Sequence, residues 1–309
     1  MGSRTLTPPL SKSVVITGAS SGLGKAAAVR LTELGYRVFA GVRRKSSAAE
    51  LSAVPPSAGE LIPVLLDVTD AESIAHAGRL VEQMCADTGL WAVVNNAGIS
   101  MSAPLECLPM NVLRTQLETN VIGSAAVSQR FLPLLRASRG RIINVSSGIA
   151  NIAPPYLGAY AAAQFAKEGL SDALRRELRP LGVSVSVVQP GAVFTPIWGK
   201  MRRSADEILA AAPAEVVETY RERYIEFLDG SGRLAQQSNT TPEDYADAVA
   251  AALAAKRPKP RYRVGVDSSS SALVCRVVPD RLMDALIVGF SALTRAADSR
   301  RPSRELASP

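Results

Sequence analysis

Seven short runs recur along this chain, and each is apolar on both faces: Ser13–Thr17, Arg37–Val42, Leu61–Leu66, Trp91–Asn95, Arg141–Ser146, Val183–Gln189 and Tyr262–Val266. A strand without polar alternation must be covered on both sides, as in a parallel sheet. Between the runs lie the amphipathic stretches Gly24–Leu34, Ala71–Thr88, Val112–Leu135 and Tyr160–Leu178, and Ala48–Gly59 reads as a helix with a polar loop. Strand and helix in alternation dictate right-handed βαβ crossovers, so the expected class is α/β with a doubly wound parallel sheet of about seven strands. No Gly/Ser linker and no internal repeat divides the chain, so residues 1–266 are expected to form one domain. Residues 194–240 interrupt the rhythm and predict a lid of two helices over the sheet's C-terminal edge. Residues 267–309 predict a basic, partly helical C-terminal extension that frays over Asp298–Pro309.

Composition removes several classes of chemistry. His76 is the one histidine, and the three cysteines, Cys85, Cys107 and Cys275, are scattered. They assemble neither a zinc site nor a disulfide scaffold, so no metal is expected. A Ser-His-Asp triad would depend on His76, which falls inside a helical stretch and reads as a surface residue. The cysteines read as structural, with Cys107 placed beside the mouth of the fourth loop. The net charge of +7 lies almost wholly beyond residue 255, so the body does not read as a nucleic-acid binder. The first twelve residues show no apolar leader, and no apolar run approaches the roughly 18 residues a bilayer span needs. The most apolar stretch, Ala285–Leu293, reads as a packed helix rather than a peripheral membrane contact. A reducing, cytoplasmic compartment is expected.

The first run opens directly into Thr17-Gly18-Ala19-Ser20-Ser21-Gly22-Leu23-Gly24, and a helix follows. Glycines at 18, 22 and 24 permit a tight turn, close approach of a pyrophosphate and tight helix packing. The helix N-terminus then turns free N–H groups and the positive end of its dipole toward the phosphates. The second run ends Val42-Arg43-Arg44-Lys45, with no carboxylate for adenosine ribose hydroxyls. A guanidinium at 43 suits a 2′-phosphate, which favours NADP over NAD.

Further motifs follow in order: Asn95-Asn96-Ala97-Gly98, Asn120, Ser147, Tyr160 and Pro190-Gly191. With the glycine loop, they make residues 12–266 resemble the short-chain dehydrogenase/reductases. The extended C-terminus and Phe165-Ala166-Lys167-Glu168-Gly169-Leu170-Ser171-Asp172 resemble the branch acting on steroids, retinoids and 3-hydroxybutyrate. The resemblance implies a Rossmann-type fold. It also implies a cofactor site of Gly18, Ser20, Ser21, Gly22, Leu23, Gly24, Asp67, Val68, Asn95, Ala97, Gly98 and Tyr160. Over the nicotinamide it places Pro190, Gly191, Val193 and Thr195. Catalysis would fall to Tyr160 as proton carrier, Ser147 as the group orienting the substrate oxygen and Asn120 as support for a water relay. A homodimer or homotetramer through the helices at 112–135 and 160–178 is implied as well.

One position departs from the family. Its motif is Tyr-x-x-x-Lys, and this chain reads Tyr160-Ala161-Ala162-Ala163-Gln164. In the family that lysine binds the nicotinamide ribose and lowers the tyrosine pKa, which is otherwise near about 10. Gln164 keeps a hydrogen bond and supplies no charge. Three readings stay open: a working but unconventional reductase, an engineered substitution, or a fold turned to dehydration, isomerisation, cyclisation or ligand sensing. Lys167 lies about 10 Å further along the helix axis and reads as a surface charge. In the lid, Ile197, Trp198, Met201, Tyr220, Tyr224 and Phe227 predict a pocket for a bulky hydrophobic alcohol or ketone.

Overall fold

All seven expected strands form, and each pairs parallel with its neighbours. In the computed structural model, which describes residues 12–287, they are β1 (Ser13–Ile16), β2 (Arg37–Val42), β3 (Glu60–Leu65), β4 (Leu90–Asn95), β5 (Arg141–Val145), β6 (Ser184–Pro190) and β7 (Arg261–Val264). The sheet order is β3-β2-β1-β4-β5-β6-β7. The winding direction therefore reverses between β1 and β4, and a crevice opens there at the strands' C-terminal ends.

Two helical layers cover the sheet, which is why the strands are apolar on both faces. On one side α1 (Gly22–Glu33), α2 (Lys45–Ser52) and α9 (Pro242–Ala254) bury Ala27, Leu31, Leu51 and Val249 against Val14, Val38 and Val94. On the other, α3 (Ala71–Met84), α5 (Gly123–Ser138) and α6 (Gly158–Leu178) bury Val81, Phe131 and Leu178 against Val15, Phe39 and Ile142. Burying one such large side chain contributes about 1.5–3 kcal/mol. Local signals fix the helix starts. Asp70 accepts from the N–H groups of Glu72 and Ser73 at the head of α3, and Thr241 with Asp244 forms a capping box on α9.

The stretch expected as one helix over Val112–Leu135 is instead α4 (Met110–Leu117), a π-helical turn (Glu118–Ile122) and α5. The extra residue of a π turn shifts the side chains that follow, and such turns concentrate at functional sites. The interruption at 194–240 forms α7 (Ile197–Ala211) and α8 (Ala214–Gln236), two helices as expected. After β7 the chain continues as α10 (Val266–Val277), and residues 280–287 are again helical. Ala285–Ile287 therefore lie in a helix, while 288–293 and the expected frayed end fall outside the described residues. No helix among the described residues is long and apolar enough to cross a membrane.

Gly24 holds the first helix against the sheet edge. A Cβ there would come within 2.3 Å of the Gly18 carbonyl oxygen and 2.4 Å of the Asn96 amide, neither of which is free to move. Gly232, inside α8, has open space where a Cβ would stand, with nothing within 4 Å. Gly24→Ala should destabilise the chain by about 2–3 kcal/mol or more through overpacking. Gly232→Ala should stabilise it by about 0.5–1 kcal/mol through helix propensity. Urea unfolding of the two variants beside the wild type checks the opposite signs.

Candidate functional site

The glycine loop occupies the crevice at the reversal point. Gly18 adopts φ +68, and a side chain there would strike Ala97, so the turn after β1 and the loop after β4 touch backbone to backbone. Hydrogen bonds fasten the two loops. The Thr17 hydroxyl accepts from Ala97 N–H at 2.9 Å, and the Asn96 amide donates to Thr17 O at 2.9 Å and Gly18 O at 3.2 Å. The buried Tyr245 hydroxyl donates to Asn96 Oδ1 at 3.0 Å. The α1 N-terminus has no side-chain cap and no acidic residue in its first turn. Its free N–H groups face the cleft beside Ser20, Ser21, Gly22 and Leu23, as an anion-binding end should.

The chemistry-bearing residues come from the end of β5 and from α6, which run antiparallel. Asn144 donates to the Ser171 hydroxyl at 2.8 Å. One residue on, Val145 O accepts from Lys167 Nζ at 3.0 Å. Ser146 donates to Glu168 Oε1 at 2.5 Å. Ser147, next along, meets the Tyr160 phenol at the cleft. Glu168 also accepts from Gln189 at 2.8 Å and from Arg261 at 2.9 Å. Burial pushes the Tyr160 pKa above its ordinary value, and the neighbouring Ser147 hydroxyl and Gln164 amide pull partway back. Gln164 is buried at 4 % exposure, and its Oε1 has no hydrogen-bond partner.

Lys167 corrects the expectation of a surface charge. It is 1 % exposed, because this position of α6 faces the sheet and not solvent. Desolvation lowers its pKa to about 8, partly opposed by the adjacent Glu168 carboxylate.

The cleft holds about 2320 Å³, more than one drug-sized ligand needs. Of the expected residues it brings together Gly18, Ser20, Ser21, Gly22, Leu23, Gly24, Arg43, Asp67, Val68, Ala97, Gly98, Ser147, Tyr160, Pro190, Gly191, Val193 and Thr195. Arg43 is exposed at the rim. The Asp67 carboxylate accepts from the Thr69 N–H at 2.9 Å and hydroxyl at 2.7 Å, closing a turn. Asn95, Asn120 and Gln164 sit behind the walls. Asn95 donates to Ser128 and Asn144, both at 2.8 Å. Asn120, on the π turn, accepts from Ile99 N–H at 2.9 Å and donates to Ile99 O at 3.0 Å. Both of its amide ends thus face the loop after β4.

The lid expectation is corrected in part. Ile197, Trp198, Met201 and Phe227 line the cleft, whereas Tyr220 and Tyr224 do not. Tyr224 is fully buried and donates to Ser102 O, and Tyr220 donates to Glu106 at 2.8 Å, so both pin α8 to the body. Cys107 is likewise buried beside Ile208 and Val217, away from the cleft. Two contributions escaped the sequence reading. Tyr156 lines the cleft with φ +66, its ring tilted against Tyr224 and edge-on to Phe227, in a conformation that costs a non-glycine residue energy. From α10, Asp267 accepts the Ala192 N–H at 2.6 Å and Ser268 donates to Gln189 O at 2.8 Å. No local motif announces either.

The profile of the family described as short chain dehydrogenase matches residues 12–206. The 3-amino-tetrahydro-pyrrolizinone reductase of Xenorhabdus hominickii is 44% identical over 84% of this chain and 88% of its own. Human retinol dehydrogenase 16 is 35% identical over 91% of this chain and 89% of its own. A short chain dehydrogenase from Burkholderia cenocepacia, solved in complex with NADP, superposes with a TM-score of 0.66 at 27% identity, over 89% of this chain and 96% of its own.

Burial of Lys167 has a pH signature. Below about pH 8 the lysine is charged in both folded and unfolded chains, and the full cost of burying the ammonium is present. Above it, the unfolded chain holds a proton that the folded chain has released, so stability rises with pH toward the free value of 10.5. Relative to Lys167→Met, the wild type should gain about 2 kcal/mol between about pH 7 and about pH 9.5, read by urea unfolding at each pH.

Proposed function

We propose that this chain, which belongs to the short chain dehydrogenase family, is an NADP-dependent oxidoreductase that interconverts a bulky hydrophobic ketone and its alcohol. One observation carries the reading: Ser147 and Tyr160 meet in a cleft whose far end is an uncapped helix N-terminus behind a glycine loop. A reduced nicotinamide bound there would supply a hydride to the carbonyl carbon. Ser147 would donate a hydrogen bond to the carbonyl oxygen. Tyr160, a phenol protonated at neutral pH whose pKa burial raises further, would give that oxygen its proton. The raised tyrosine pKa therefore favours reduction at neutral pH and delays oxidation to alkaline pH. Gln164 would offer its amide to the ribose, and the Pro190–Thr195 segment would cover the nicotinamide.

Arg43 at the cleft rim supports NADP, as does the NADP complex of the Burkholderia relative. The side chains Ile197, Trp198, Met201 and Phe227 support a hydrophobic substrate under a lid formed by α7 and α8, as do the names of the pyrrolizinone and retinol relatives. Exposed Ile122 and Phe165 support a homodimer or homotetramer through the helices at 112–135 and 160–178. The neutral residue at 164 favours one rival reading, a chain that binds cofactor and ligand without turnover.

Ketone reduction and NADPH binding by calorimetry separate the two. Turnover in the wild type supports the oxidoreductase; tight NADPH binding with turnover only after Gln164→Lys supports the rival, and no NADPH binding sinks both. Tyr160→Phe should lower kcat by about 100-fold or more with NADPH affinity unchanged. Arg43→Ala should weaken NADPH by about tenfold or more and NADH by less than about twofold. Equal loss for both would refute the choice of NADP.

A further inference from the structure

Lys167 is the most deeply buried cation among the described residues, and the reaction as derived above does not use it. It sits one helical turn from Gln164 and two from Tyr160, on the same face of α6. Its ammonium rests on Val145 O, two strand residues (about 7 Å) before Ser147. Side chains on a helix lean toward its N-terminus, so the lysine reaches back toward the site. An ammonium has three donors, and Val145 O takes one of them. Gln164 Oε1, one turn away, is a buried acceptor without a donor.

Of the neighbouring carboxylates Glu168 acts on this charge, but its oxygens are bonded to other partners, Ser146, Gln189 and Arg261. Asp172 is paired with Arg175 and Arg261. Arg141, at the opposite end of β5, holds the Ala255 carbonyl. Glu118 on the π turn, Arg114 on α4 and Arg179 in the turn after α6 are exposed. β6 and the turn at Gly148–Ala150 bring no charged residue.

We propose that Lys167 is a positioning residue for proton transfer, supplying from beneath the site the positive charge that position 164 lacks. Gln164 relays it, its Oε1 facing the ammonium through a bound water and its amide N–H facing the phenol. In reduction the Tyr160 O–H bond breaks and its proton joins the substrate oxygen, while the carbonyl carbon takes the hydride of the reduced nicotinamide. A phenolate is left, which the ammonium stabilises until solvent returns a proton. The inference rests on the oxidoreductase reading and has its own failure mode.

Lys167 loses its charge near about pH 8, so wild-type kcat for ketone reduction should fall as pH rises through that value. Lys167→Met should be about tenfold slower at neutral pH and lack this limb, with KM and NADPH affinity unchanged. In a Gln164→Lys background, Lys167→Met should have no further effect. A second readout needs no turnover. With carbon-13 tyrosine, and Tyr160→Phe to assign the signal, the phenol should titrate about one pH unit lower in Lys167→Arg, which stays charged, than in Lys167→Met, and the wild type should follow the methionine variant because its lysine is neutral above about pH 8. If the arginine variant does not fold, the pH profile of wild-type kcat against that of Lys167→Met decides. An unchanged pH profile and coincident phenol titrations would overturn the inference and leave the oxidoreductase reading standing. Absence of wild-type ketone turnover would sink that reading, and the phenol titration would then decide the inference alone.

Discussion

A buried chain of neutral hydrogen bonds holds the site in register. The Asn95 amide bridges Ser128 on α5 and Asn144 on β5, and Asn144 donates onward to Ser171 on α6. All four side chains are nearly inaccessible, so none of these bonds competes with water. β4, β5, α5 and α6 are thereby tied together at one level, one strand residue below the Lys167 contact and three below Ser147. A slip of α6 along β5 would strand several buried polar groups at once, each costing about 1–3 kcal/mol. The meeting of Ser147 with Tyr160 is a downstream result of that tie.

The strands were legible because coverage on both faces leaves a mark that needs no tertiary knowledge: Val14 and Val15, or Ile142 and Ile143, point to opposite layers and are all buried. The glycine turn after β1 was legible because its glycines answer local steric demands. The π turn was not, since it is held by Asn120 on Ile99, a contact between segments 21 residues apart. Lys167 was misread because axial rise along a helix says nothing about which layer a face meets. Tyr220 and Tyr224 were misread because amphipathicity marks an inward face without saying whether it meets a wall or a void. The part played by α10 was hidden by reading residues beyond 266 for their charge.

Around the tyrosine the electrostatics are unusual for a proton-transfer site. Its helix neighbour at 164 is an amide, and the nearest cation in sequence lies a turn deeper, at Lys167. Beyond it, Ile197, Trp198, Met201 and Phe227 give an apolar substrate surface to bury, and Lys200, Arg223, Glu226 and Arg233 also border the cleft.

The clasp between α10 and the strand ends carries a different kind of consequence. Asp267 holds the Ala192 N–H and Ser268 holds Gln189 O, so the stretch after β6 is bolted to residues that follow the last strand. The far end of the chain thus shares one free energy with the turn that borders the cleft. Whatever steadies or loosens α10 will alter how firmly that turn is held, and by reciprocity a ligand that favoured the held turn would steady α10 by the same amount. A swap of the C-terminal extension between relatives would be heard first in cofactor affinity.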